Sequence, residues 1–183
     1  MDRRIKYTKK IIKETLISLL KEKKINKITV SEICSKADIN RATFYRYYLD
    51  VYDLLDKIKD EFVSQLLEVS NNNNEDTVSS FSKNLLYVFL QNKNLVKVLF
   101  NNKNDLYFLN EILEVIFNKF KNKWKNNNLT DEEIEYASIF IFNGSLGVIN
   151  YWVQNNFEKD IDEICSIIEN LSYNGISIYK KIY

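Results

Sequence analysis

TVSEICSKADINRATFYRYYLDVYDLL, residues 29–55, is the stretch that decides the fold. It opens on TVSE, a capping-box pattern in which the Thr29 hydroxyl can take the backbone N–H of Glu32 while the Glu32 side chain reaches back. Val30, Ile33, Cys34 and Ala37 follow at i, i+3, i+4 and i+7, the spacing of one helical face. Asp38 then stands where a turn needs a left-handed residue, which aspartate tolerates, and Asn40 is a ready cap for the next helix. The pattern is helix, four-residue turn, helix.

In the helix after the turn, Phe44 and Tyr48 share a face at i, i+4 and point inward with Ile39. Arg41, Ala42, Thr43, Tyr45 and Tyr47 are left outside. A core favours Leu, Ile and Val, whereas every arginine and tyrosine must find a partner for its donors. A short helix displaying such side chains suits an anionic polymer.

Working outward, the spacing predicts helix one from Thr8, as N-cap, to Lys23, with Ile12, Leu16, Leu19 and Leu20 in one stripe and lysines opposite. Asp50 caps helix four, whose stripe is Leu54, Leu55, Ile58, Phe62, Leu66 and Val69, and SNNNNED at 70–76 breaks it. Phe81, Leu85, Val88 and Phe89 mark a fifth helix, and Leu95, Val98 and Leu99 a sixth. A seventh carries Leu109, Ile112, Leu113, Ile116, Phe117, Phe120 and Trp124 on one face. A second capping box, TDEE at 130–133, opens the eighth, and the ninth runs from about Ile161 to Tyr179. With no proline and three glycines, the fold class is all-α with about nine helices. A three-helix helix-turn-helix domain takes residues 1–50, helix four connects over 51–69, and a second helical domain takes 70–183.

Net charge is only +1, but residues 1–49 hold thirteen Lys/Arg against five Asp/Glu, including all four arginines of the chain. That concentration points to a polyanion partner. Residues 136–157 carry no charge, yet Asn143, Asn150, Gln154, Asn155 and Asn156 interrupt them, so a buried helix rather than a membrane span is expected. Cys34 and Cys165 sit in apolar stripes, as reduced thiols of a cytoplasmic protein would, and no signal peptide is expected in the basic first twenty residues. Without histidine, a glycine-rich phosphate loop or a metal-spaced cluster, the sequence offers no enzyme chemistry and calls for no cofactor.

Residues 29–55 resemble the DNA-binding segment of the TetR family of bacterial transcriptional regulators, with the match covering about the first sixty residues. NKNDLYFLNEI, residues 103–113, through FNGSLGVINYW, residues 142–152, is similar to the C-terminal region of one branch of that family. The resemblance implies a homodimeric, ligand-responsive repressor on a palindromic operator. It puts Thr29 and Ser31 near the DNA backbone, Arg41, Ala42, Thr43 and Tyr45 in the major groove, and Tyr47 on a phosphate. Arg41 is the best base reader, since a guanidinium can take a guanine edge bidentately, and Arg46 meets helix four or a phosphate. Asp38 and Ala42 stand where the family usually has glycine, and Val51 where it usually has a phosphate-contacting lysine, at a position expected to be exposed and not to pack in the core. The alternative is a co-regulator of the same fold that acts through another regulator.

For the second domain the resemblance implies dimerisation and a small apolar effector. Tyr87, Phe108, Phe140, Asn143, Tyr151 and Trp152 are the effector candidates, because aromatics and a buried amide suit an apolar ligand with one polar group. A helix that is apolar all round, followed by one apolar on two sides, has more to bury than one small domain needs. Gly144, Gly147, Ile164, Ile168 and Leu171 are therefore candidates for the dimer interface. The two glycines serve close approach of a partner helix or admit a bulky core neighbour.

Overall fold

The computed structural model describes residues 3–71, 78–102, 107, 109–111, 113–115, 118 and 130–182. Among the described residues every regular element is helical. The chain divides into two compact units, residues 1–64 and 65–183, so the division falls inside helix four.

In the first unit α1 (Arg3–Leu20) buries Ile12, Leu16 and Leu19, one stripe at i, i+4, i+7. It starts five residues before Thr8, whose hydroxyl bonds the Arg4 carbonyl at 2.9 Å within the helix rather than capping it. A 3-10 turn at Ile25–Lys27 leads to α2 (Val30–Lys36), then to α3 (Arg41–Tyr45) and α4 (Val51–Asn71). Packing α1 and α3 on α2 closes a core of Leu16, Leu19, Ile33, Cys34, Phe44 and Tyr48, joined by Leu54, Ile58 and Phe62 from α4. Burial pushes the Tyr48 hydroxyl up to about 12, and the Cys34 thiol is raised by the same cause.

In the second unit α5 (Val78–Gln91), α6 (Lys93–Asn101), α8 (Asp131–Gln154) and α9 (Ile161–Ile182) pack as α5 on α9, α8 on α9 and α6 on α8. The helical positions between 107 and 118 belong to α7 and bury Leu109 and Leu113; Ile112, Ile116, Phe117, Phe120 and Trp124 lie outside the described residues. TDEE forms the complete capping box: Glu133 N–H donates to Thr130 Oγ1 at 3.2 Å and Thr130 N–H to Glu133 Oε2 at 2.7 Å. Cys165 is buried on α9, and burial raises its thiol to about 11.

α8 departs from expectation. It buries Ile134, Ser138, Ile141, Ile149, Trp152 and Val153, but Tyr136, Ile139, Phe140 and Tyr151 stand more than half exposed on its other side. The chain alone covers one face of this helix, not all of it.

Candidate nucleic-acid interface

The helix-turn-helix is built from local hydrogen bonds. Thr29 Oγ1 accepts the Glu32 N–H at 3.2 Å and starts α2. The return bond expected of Glu32 is absent, because its carboxylate takes the Lys23 ammonium at 2.7 Å through both oxygens. That lysine bond holds the Glu32 carboxyl below its ordinary value. Asp38 adopts φ 51°, as the turn demands, and the Ile39 N–H reaches back to the Cys34 carbonyl at 3.0 Å. Asn40 Oδ1 then caps α3, accepting the Thr43 N–H at 2.7 Å.

This geometry leaves most of the sequence-predicted set exposed. Thr29 and Ser31 are exposed at the start of α2, and Arg41, Ala42, Tyr45 and Arg46 are exposed on or just after α3. Thr43 is half-buried and spends its hydroxyl proton on Asn40 Oδ1 at 2.8 Å, so it has a lone pair and a methyl group left to offer rather than a donor. Tyr45 stands edge-on to buried Phe44, with centroids 5.6 Å apart, and is more than half exposed. Arg46 lies in solvent rather than against α4. Among the described residues Arg41 and Arg46 have no acidic partner, whereas Lys13, Lys23, Lys36 and Lys57 are paired with Glu61, Glu32, Glu22 and Asp53.

Tyr47 is half-buried, its ring edge-on to Tyr48 at 6.4 Å. Two lysines that the sequence reading missed frame it: Lys9 Nζ lies 5.3 Å from the Tyr47 ring centre, and Lys57 Nζ donates to the Tyr47 carbonyl at 3.1 Å. The Lys57 bond had a signal in the sequence, the i, i+4 pair Asp53 and Lys57 just after the Asp50 cap. Asp53 also accepts the Leu49 N–H at 2.9 Å, and Lys57 first, then this backbone bond, holds its carboxyl below the usual range. Val51 is buried at 6% exposure, so the expectation that position 51 faces solvent is corrected. As the first residue of α4 it is turned into the core of the first unit.

The effector candidates are not brought together. Phe140, Asn143 and Tyr151 lie on the exposed side of α8, and the Asn143 amide donates to its own helix at the Ile139 carbonyl, 2.8 Å away, instead of being buried. Trp152 faces the opposite way, buried, with its indole N–H donating to the Lys159 carbonyl at 2.7 Å and its ring edge-on to Phe157 at 4.8 Å. Tyr87 is exposed on α5, and Phe108 lies outside the described residues. The interface candidates divide too. Gly144 and Gly147 are exposed on the same side of α8 as Phe140, and a Cβ at either would meet nothing within 4 Å, so neither admits a core neighbour. Leu171 is 61% exposed, Ile168 half-buried, and Ile164 belongs to the core because α9 turns it inward.

Residues 76–174 match the profile of the TetR-type transcriptional regulator C-terminal region, more than half of the chain. The chain belongs to the TetR family of transcriptional regulators. A 47-residue stretch is 38% identical to the uncharacterized HTH-type transcriptional regulator YxbF of Bacillus subtilis (strain 168), covering 26% of this chain and 12% of that relative. The TetR-type fold extends along the chain. It is similar to the dihydroxyacetone kinase operon activator DhaS, with 21% identity, TM-score 0.68, and 93% of this chain and 97% of that one covered. A transcriptional regulator from Aquifex aeolicus VF5 gives 18% identity, TM-score 0.68, and 94% and 99%. Among the described residues no helix of this TetR-family chain is long and apolar enough to cross a membrane.

Proposed function

We propose that this TetR-family regulator binds double-stranded DNA sequence-specifically as a homodimer, acting as a ligand-responsive repressor at a palindromic operator. The observation that carries the DNA reading is the outer face of α3, where Arg41, Tyr45 and Arg46 are exposed and neither arginine has an acidic partner among the described residues. Phosphate contacts from the basic first unit supply affinity that falls with salt, while Arg41 supplies discrimination at a base edge. Thr29, Ser31 and Tyr47 take phosphates, and Ala42, Thr43 and Tyr45 lie against bases through apolar and accepting atoms. Residues 1–50 form the DNA-binding domain, α4 the connector and residues 70–183 the domain of pairing and control, in a cytoplasmic protein.

The dimer reading rests on α8, where Tyr136, Phe140, Gly144, Gly147 and Tyr151 repeat at intervals of three or four along one uncovered face. A second copy covers that face with a self-complementary contact, and Leu171 of α9 extends it. The effector is proposed on family membership, as a small apolar molecule, and its pocket is to be sought away from Phe140, Asn143 and Tyr151. Selection of bound duplexes from a random pool tests class and symmetry together. A pseudo-palindrome with half-sites about one helical turn apart is the expected result, and recovery of no preferred sequence would sink the reading. A second reading, a co-regulator working through another DNA-bound protein, is favoured by the burial of Val51, which leaves no cation at the first residue of α4. Gel-shift titration of the purified protein alone separates the two.

A further inference from the structure

Lys10, Lys13, Lys23, Lys36 and Lys57 each have a carboxylate partner, on Glu14, Glu61, Glu32, Glu22 and Asp53. Lys9 has none among the described residues. Its ammonium lies over an aromatic ring, 5.3 Å from the centre of Tyr47. That ring is itself held: it meets Tyr48 edge-on at 6.4 Å, and Tyr48, 3% exposed, packs on Phe44 at 5.6 Å. A chain of rings thus runs from the core to one cation on α1. The carbonyl of the same tyrosine is taken by Lys57.

A ring face attracts a cation without neutralising it. The Lys9 ammonium therefore keeps its full charge for an anion while losing the freedom of a long side chain, and what it loses in advance need not be lost on binding. Tyr47 lies two residues past the end of α3, so the ring that holds this cation belongs to the segment that leaves the helix carrying Arg41 and Tyr45. We infer that Lys9 is a phosphate-binding residue of the DNA interface and that Tyr47 is its positioning residue, so that α1 grips the backbone next to α3. The inference rests on the DNA-binding reading above and adds to it a contact from outside the helix-turn-helix.

The test is the salt dependence of binding to the selected operator and to random duplex, for the full chain and five variants. Lys9→Ala should bind both DNAs more weakly and flatten the slope of log K against log salt by about 0.9 per half-site, about 1.8 in a dimer, while Lys9→Arg restores it. Tyr47→Phe keeps the ring and should keep that slope, while affinity for both DNAs falls with the loss of the hydroxyl's phosphate bond. Tyr47→Leu removes the ring, so Lys9→Ala made in that background should lower affinity by a smaller factor than in the parent. Thermal melts verify folding, and Lys9→Ala should melt with the parent because alanine is a good helix residue at a partly exposed position. A parent-like slope in Lys9→Ala, alongside salt-dependent binding by the parent, overturns the Lys9 contact and leaves DNA binding standing. A parent that binds neither duplex at any salt overturns both.

Discussion

α3 and α8 each leave aromatic rings in water, and the residues around those rings separate their roles. On α3, Tyr45 stands between Arg41 and Arg46, over a closed core of Phe44 and Tyr48. On α8, Tyr136, Phe140 and Tyr151 stand with Ile139, Gly144 and Gly147, and residues 136–157 contain no charged side chain. Rings beside free guanidinium groups complement an anionic surface. Rings in an uncharged stripe complement another apolar surface, and a stripe that also holds two bare glycine backbones allows it to come close. Equal exposure therefore carries opposite meanings, and charge is what distinguishes them.

The strongest way to break this comparison is to give α8 what α3 has. Phe140→Glu puts a charge at the centre of the stripe, where a symmetric pair would bring it near its own copy. Light scattering should then report a monomer, with the helical circular dichroism of the parent because Phe140 is 69% exposed and outside the buried core. Operator affinity should fall by about 100-fold or more as two linked half-site contacts become one. A variant that remains dimeric would show that pairing uses another surface.

Next in size is Val51→Lys. A lysine at this position would serve the α3 side of the comparison only if residue 51 pointed at DNA, and it is 6% exposed in the core of the first unit. The substitution buries an ammonium without a partner, at a helix start where positive charge is disfavoured, and should cost about 3 kcal/mol of stability. Chemical denaturation measures it. Stability equal to the parent's would mean that the side chain escapes to solvent and that the start of α4 is looser than its packing implies.

The helix-turn-helix was legible in the sequence because its determinants are local. Thr29, Asp38, Asn40 and Asp50 act on residues within five positions of themselves, and each does in the structure what its pattern predicts, apart from the return bond of Glu32. Glu32 was misjudged for a nonlocal reason, since Lys23 sits outside the box pattern and offers a full charge where the Thr29 N–H offers a dipole. Val51 was misjudged because one residue at a helix start has no period by which to read its face. In the second unit, periodicity located α8 and its cap but could not say which side was inward, since both sides are apolar. Hence the sequence groups Phe140, Asn143 and Tyr151 with Trp152, although the helix turns them away from it.

Within α3, Arg41→Ala should cost about 1–3 kcal/mol of discrimination at one base pair per half-site while leaving the other positions unchanged. Competition binding against a panel of single-base operator variants measures it. A uniform loss across the panel would move Arg41 from base readout to the phosphates, and the two exposed arginines would then play the same part.

The smallest effect concerns the carboxylates that start the helices on each side. Glu32 and Asp53 in the first unit are lowered chiefly by Lys23 and Lys57, whereas Glu133 at the start of α8 is lowered by the backbone N–H and then the hydroxyl of Thr130. A carboxyl whose folded value lies below its unfolded one stabilises fully above the unfolded value, and loses that contribution as pH falls through the folded one. For these groups the loss begins below the ordinary 4.5 of glutamate and 3.8 of aspartate. All three therefore make the protein less stable in acid. Salt should separate them, since the half-buried Lys23–Glu32 ion pair is still screened by salt, and a hydrogen bond to the backbone much less so. Glu133→Gln, which keeps an accepting oxygen for Thr130, should reduce the acid loss by the same amount at low and high salt. Lys23→Met should reduce it at low salt and change little at high salt. Melting temperatures followed from pH 6 to below about 3 at two ionic strengths provide the measurement. If both substitutions respond to salt alike, the Glu133 cap is held by charge after all, and the two units do not differ in how their helices begin.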